Sequence, residues 1–275
     1  MAPMTSETLS LDLTVHDLER RFGVVSKQAA ECPTHGAYAA IIRKNADAAS
    51  GCPGCAADAQ LRRDQDEQRA MYARIAEERL ERKLGASMIP KRFMGKTFAD
   101  FRAETPEQKA NLAKCVDYAQ SFPKHLDEGR CIVMTGTPGT GKTHLAAAIA
   151  GHIIAQHNAT AVYRTVGGLL QYIKGSYGDR AEYTEKEAFA SLTDPSLLII
   201  DEVGATKPTE FELATLFAVI NGRYEEQLPT IVISNIDAKE LGAVLGDRSV
   251  DRLREGRGIG LVFEGASERS KRRAS

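Results

Sequence analysis

The sequence predicts an α/β protein, a parallel five-stranded sheet between helices, preceded by a small N-terminal helical and metal-binding module. Three observations predict it. From Ile89 onward, short apolar runs alternate with longer helical stretches, the pattern of parallel strands joined by crossover helices. One apolar run leads directly into a glycine-rich loop that opens a helix. Within residues 31–55, cysteine and histidine fall in two close pairs in a segment too small to build its own core.

Taken in order, residues 1–30 give a mixed pattern. Leu9, Leu11, Leu13 and Val15 alternate with polar residues, whereas Leu18 and Phe22 suit a helix turn, so an extended start followed by a helix is expected. Two Cys-containing turns, CPTH and CPGC, flank the stretch YAAIIRKNADAASG. From Asp58 to about Leu84, good helix formers carry opposite charges three or four apart, which reads as a solvated helix joining two units. Residues 1–84 are therefore expected to form one part and 85–275 the other. In the second part, a helix over Pro106–Leu126 precedes strand Cys131–Gly136 and the helix THLAAAIAGHIIAQH. Strand Ala161–Val166, helix GLLQYIKGSY and strand Ser196–Gly204 follow. Helix EFELATLFAVINGRYEEQ, strand Pro229–Ile236, the helical stretch AKELGAVLGDRSVDRLREG and strand GIGLVFEG complete the pattern.

Composition sets the outer limits. The 275 residues are 43% hydrophobic and 27% charged with a net charge of −1, so a real core is expected and a globally basic nucleic-acid binder is not. No segment reaches the ~20 apolar residues of a membrane span. The N-terminus carries acidic residues and lacks the pattern of a secretory signal, so the expected compartment is the cytoplasm. Five cysteines, an odd number, suit thiols or metal ligands there better than disulfides.

The loop Gly136-Thr137-Pro138-Gly139-Thr140-Gly141-Lys142-Thr143 matches GxxxxGKT in full, between a strand and a helix. Its glycines let backbone N–H groups face phosphates, and the helix N-terminus adds a favourable dipole. Lys142 supplies a point charge to the β- and γ-phosphates of ATP, and the Thr143 hydroxyl is placed to ligand Mg²⁺. The apolar run LLII ends in Asp201 and Glu202. A parallel strand delivers these carboxylates to the edge that carries the phosphate loop, where Asp201 can hold hydrated Mg²⁺ and Glu202 can polarise water. Asn235 ends the next strand, where an amide can orient that water, although Asn after a strand is also an ordinary turn residue.

Cys32 and His35, then Cys52 and Cys55, each leave two residues between ligands. Four N/S ligands complete a closed tetrahedral Zn²⁺ site, structural because no position is left for water. Cys115 and Cys131 read as small core residues.

Together, GTPGTGKTHLAAAIA, LLIIDEVG, ISNI and GDRSVDRL resemble the AAA+ ATPases of the DnaC/IstB family, helicase loaders and transposition helpers, over roughly residues 89–273. The resemblance implies a nucleotide site running from Gly136 to His144, with Asn235 as the first sensor. It implies Arg252 as a finger reaching a neighbouring subunit's ATP, and Arg269 as a second sensor. The family commonly has Tyr before that sensor where this chain has Glu268, and spacing alone does not choose among the C-terminal arginines. It further implies self-association through ATP and assembly on single-stranded DNA. The candidate contacts are Lys174, Tyr177, Thr209 and Phe211, of which Tyr177 and Phe211 equally suit packing.

The zinc module does not follow from the ATPase resemblance. It favours a loader that engages a replicative hexameric helicase through residues 1–84, with an IstB-like helper of a transposase as the alternative. A small-molecule kinase is disfavoured, because Glu202 beside Asp201 suits hydrolysis.

Overall fold

The computed structural model describes residues 11–178, 181–265 and 267. It divides into two compact units at Glu77/Glu78, whereas the sequence expectation puts the division at residue 84.

In the first unit, helix α1 (Asp17–Arg21) precedes an antiparallel hairpin of β1 (Val24–Cys32) and β2 (Gly36–Arg43). The hairpin is absent from the sequence reading, which has only turns here. Its strands lack clean alternation because they cover almost no core: β1 buries only its two ends, Val24 and Cys32. Helix α2 (Pro53–Ala86) then runs for 34 residues with no buried residue. Through Glu77 it is the solvated charged helix expected, begun one turn earlier than Asp58, whereas Leu80 and Leu84 are partly buried against the core of the second unit.

The second unit carries the parallel sheet. Helices α3 (Pro106–Gln120) and α4 (Phe122–Asp127) replace the single expected helix over Pro106–Leu126. Pro123 has no N–H for the Ala119 carbonyl, so the helix breaks at Ser121. His157 Nε2 lies 2.9 Å from that carbonyl, which can only accept, and so donates to it. Next come β3 (Ile132–Gly136), α5 (Lys142–His157), β4 (Ala161–Thr165) and α6 (Val166–Lys174). The Thr165 hydroxyl accepts from Gly168 N–H, which ends β4 and starts α6. Helix α7 (Glu185–Thr193) is an element the sequence reading lacks, although Thr184 and Glu187 form its capping box.

Strand β5 (Leu197–Val203), helix α8 (Glu210–Glu225) and strand β6 (Thr230–Ser234) follow. The helical stretch after them splits into α9 (Leu241–Leu245) and α10 (Asp247–Arg254) at Gly246, whose φ of 80° and ψ of 140° end the first helix. Strand β7 (Ile259–Phe263) completes the sheet, in the order β4-β5-β6-β3-β7 with every pairing parallel. Side chains alternate between two cores. Ile132, Met134, Leu197 and Ile199 pack on the face of α3 and α5, and Leu198, Ile200 and Val232 on the face of α6, α7 and α8. Cys115 and Cys131 are both buried, as expected of core residues. Among the described residues no helix is long and apolar enough to cross a membrane.

Candidate nucleotide site and metal centre

Because all five strands run the same way, the ends of β3, β5 and β6 bring Gly136, Asp201 and Asn235 to one edge of the sheet. There a cavity of about 410 Å³ is lined by the phosphate loop from Pro138 to His144 and by Asp201, Glu202 and Asn235. Gly136 pairs with Phe263 of β7 at φ 121°, and a Cβ there would lie 2.1 Å from the Phe263 carbonyl oxygen. Only glycine lets β7 approach the loop this closely. Lys142, buried at 4% exposure, donates to the carbonyls of Gly136 and Thr137, both at 2.7 Å. Thr140 Oγ1 also donates to Thr137 O.

The Thr143 hydroxyl donates to Asp201 Oδ2 at 2.8 Å. A hydroxyl and a carboxylate in contact at the end of a phosphate loop suit a hard divalent cation, which takes oxygen ligands. Glu202 adopts φ 62°, and the pairing of β5 with β6 shifts register between Ile200 and Val203. At this irregularity within β5 the Glu202 side chain is exposed on the cavity wall while Asp201 stays buried. Ser234 Oγ donates to Val203 O, tying the end of β6 beside Asn235 to the same turn.

Two contributors are missing from the sequence reading. Phe101 lines the cavity and meets His144 edge-on at 5.7 Å, while His144 Nε2 lies 2.9 Å from Thr97 O. Tyr163 of β4 donates its hydroxyl to Asp201 Oδ2 at 2.6 Å. Burial, and then the hydrogen bond to Asp201, hold the Tyr163 phenol well above its usual range, so it stays a neutral donor.

The other site residues lie apart from this cavity. Arg252 of α10 stacks its guanidinium 4.4 Å from the centre of the Tyr224 ring and lines a second cavity of about 310 Å³. Its Nε is buried with no hydrogen-bond partner among the described residues. Arg269 lies outside the described residues. Lys174 Nζ sits 5.0 Å over the Phe211 ring, so two of the candidate DNA contacts adjoin one another. The Tyr177 hydroxyl donates to Glu185, and the Thr209 hydroxyl caps α8 by accepting from Glu212 N–H.

In the first unit, Cys32 ends β1, His35 lies in the hairpin turn, and Cys52 and Cys55 straddle the start of α2. One donor atom from each of the four lies within 4.8 Å of the others. Cys32 Sγ is 3.4 Å from Cys55 Sγ, and His35 Nδ1 is 3.7 Å and 3.5 Å from those sulfurs. Tetrahedral Zn–S bonds of about 2.3 Å separate two sulfurs by roughly 3.8 Å, so the set needs little adjustment to hold zinc. A Cβ on Gly54 would stand 2.6 Å from the His35 ring, so glycine makes room for the imidazole. His35 Nε2 lies 3.1 Å from Asp58 Oδ2, a carboxylate that orients the ring as carboxylates behind zinc-bound histidines do. Backbone N–H groups of His35 and Thr34 lower the Cys32 thiol to about 6, which favours the thiolate that a metal needs. Asp58 was legible in principle: it stands one helical turn after Cys55.

The profile of the family described as IstB-like ATP binding protein matches residues 67–254. The chain is 31% identical over 191 residues to the replicative helicase loader DnaC of Buchnera aphidicola subsp. Acyrthosiphon pisum, covering 70% of this chain and 76% of that protein. To the replicative helicase loader DnaC of Escherichia coli K12 it is 27% identical over 175 residues, 64% of this chain and 69% of that one. The crystal structure of the DnaC helicase loader superposes with a TM-score of 0.57 at 20% identity, covering 63% of this chain and 99% of that chain. DnaI superposes with a TM-score of 0.54 at 20% identity, covering 64% and 95%. These likenesses identify the fold as that of the AAA+ P-loop domain.

Proposed function

We propose, on the premise that this chain belongs to the family of IstB-like ATP-binding proteins, that it is a cytoplasmic ATPase that loads a replicative hexameric helicase onto single-stranded DNA. One observation carries the reading: an assembled phosphate loop with Asp201 and Glu202 at its edge, in a chain similar over 70% of its length to a helicase loader. In this reading the loop from Gly136 to His144 holds the ATP phosphates, Thr143 and Asp201 hold Mg²⁺, and Glu202 polarises the attacking water. Asn235 reads the γ-phosphate, and Arg269 acts as a second sensor. Cys32, His35, Cys52 and Cys55 hold a structural zinc.

Arg252 lies outside the cavity of its own subunit, which suits a finger that completes a neighbour's site and makes assembly depend on ATP. Mixing tests this. A Lys142→Ala subunit has no working site but still offers Arg252, whereas an Arg252→Ala subunit has the reverse defect. Each alone is expected to be inactive, and the mixture to recover hydrolysis. A mixture as inactive as its components would exclude Arg252 as a finger in trans.

Lys174, Phe211, Tyr177 and Thr209 supply the contacts to single-stranded DNA, the first through phosphate attraction and the aromatics through stacking. The N-terminal part, residues 1–84, docks on the helicase, and residues 85–275 form the ATPase domain. Co-purification with a hexameric helicase, with and without ATP, tests the whole. Wild type is expected to bind in a nucleotide-sensitive way, and a chain lacking residues 1–84 to lose binding. No binding in any nucleotide state would remove the loader reading and bring forward the transposase helper, the other activity of the resembled family.

A further inference from the structure

We infer that Tyr163 is a positioning residue for the divalent cation of the ATP site, setting the orientation of the Asp201 carboxylate and, through it, of the Thr143 hydroxyl. The inference rests on the proposal that Thr143 and Asp201 hold that cation.

The argument begins with strand register. Strands β4 and β5 are parallel, with Tyr163 opposite Ile199 and Thr165 opposite Asp201. Tyr163 and Asp201 are therefore diagonal neighbours on one face of the sheet, within reach of a long side chain. That face packs against α5, the helix that the phosphate loop opens, and the Tyr163 ring belongs to the core beneath it. Ring packing thus determines where the hydroxyl sits, and the hydroxyl sits on Asp201 Oδ2.

Asp201 accepts three hydrogen bonds. Glu202 N–H donates to Oδ1 at 2.6 Å, and the Thr143 and Tyr163 hydroxyls donate to Oδ2 at 2.8 and 2.6 Å. The backbone donor holds one oxygen, yet the carboxyl plane still turns about the Cβ–Cγ bond until a second fixed donor stops it. Thr143 stands at the mouth of the loop as a candidate ligand itself, so it cannot supply that reference independently. Tyr163 can, because the residue is only 6% exposed and its backbone N–H is tied to Ser87 O at 2.8 Å. The phenol also shares the negative charge of a carboxylate that is itself only 6% exposed. With Tyr163 in place, the Asp201 carboxylate and the Thr143 hydroxyl are held in one arrangement at the cavity wall. Groups of this kind behind metal ligands typically change metal affinity 10- to 100-fold when removed.

The test separates cation binding from nucleotide binding and from turnover. Tyr163→Phe keeps the buried ring and removes only the hydroxyl. Binding of a fluorescent ATP analogue is measured in EDTA and across a Mn²⁺ titration, with free Mn²⁺ followed by its electron paramagnetic resonance signal. Tyr163→Phe is expected to bind nucleotide in EDTA as wild type does, and to need about tenfold more Mn²⁺ for half-saturation. An unchanged Mn²⁺ midpoint in a variant with a normal melting profile overturns the inference. Asp201→Asn is measured alongside. If it keeps wild-type Mn²⁺ dependence, the cation reading itself fails, a result distinct from failure of Tyr163 alone. A second measurement uses the unmutated protein with ¹³C-labelled tyrosine rings. The Tyr163 signal is expected to shift when Mg²⁺ joins bound non-hydrolysable ATP analogue, and identical spectra with and without Mg²⁺ would also overturn the inference.

Discussion

Glu202→Gln is expected to bind ATP as tightly as wild type and to hydrolyse it about 10²- to 10⁴-fold more slowly, the usual contribution of a positioned general base. The expectation comes from the backbone. Asp201 and Glu202 are adjacent, yet one is buried against Thr143 and the other is turned onto the cavity wall by its φ of 62° and the register shift of β5. A non-glycine residue in that conformation is held against strain of roughly 1 kcal/mol or more by its surroundings, and such strain clusters where a side chain must be aimed. Glutamine has the same Cβ and length, so strain and packing are unchanged and only the basicity is lost. Phosphate release and fluorescent-nucleotide binding, measured on the same preparation, separate the two steps. Hydrolysis within threefold of wild type would exclude Glu202 as the base. Lys142→Ala provides the contrast, because removing the ammonium is expected to abolish binding itself.

Loss of the proposed zinc ligands is expected to unfold the first unit and spare the second. Among the described residues through Glu77, the buried apolar side chains are Val24, Cys32, Ala40 and Cys52. Two of these four are proposed ligands, so the hairpin has almost no hydrophobic core of its own. Such a unit depends on its metal, and structural zinc sites contribute on the order of 10 kcal/mol to folding. Purified protein is expected to carry one zinc per chain by elemental analysis. Cys52→Ser or prolonged chelation should then open residues 11–52 to protease and to rapid amide exchange, while the second unit keeps its ATP affinity. A hairpin that remains protected without metal would show that the cluster is not its support. Asp58→Ala is expected to do the same more weakly, by loosening His35.

The ATP site was legible because its chemistry is local in sequence. Eight consecutive residues make the phosphate loop, and two adjacent carboxylates end a run apolar enough to be recognised as a buried strand. The Cys/His cluster was legible for the same reason, as two pairs each within one turn. The hairpin between those pairs was not. Periodicity reports a core, and strands that bury only Val24, Cys32 and Ala40 display none. The breaks at Pro123 and Gly246 were written in the residues but masked by helical stretches on either side.

By itself the sequence determined the fold class, the phosphate loop, the carboxylate pair and the clustered cysteine and histidine pairs, all matters of residue type at short spacing. Tertiary structure alone decided which distant residues support them. Tyr163 reaches Asp201 across 38 positions of sequence because two parallel strands pair in one register. Arg252 stacks on Tyr224, outside the cavity of its own ATP site, because α10 packs against α8. In one dimension a strand tyrosine looks like core and a helix arginine like solvated surface. The partner each one meets is set by strand register and helix packing, which no local pattern encodes.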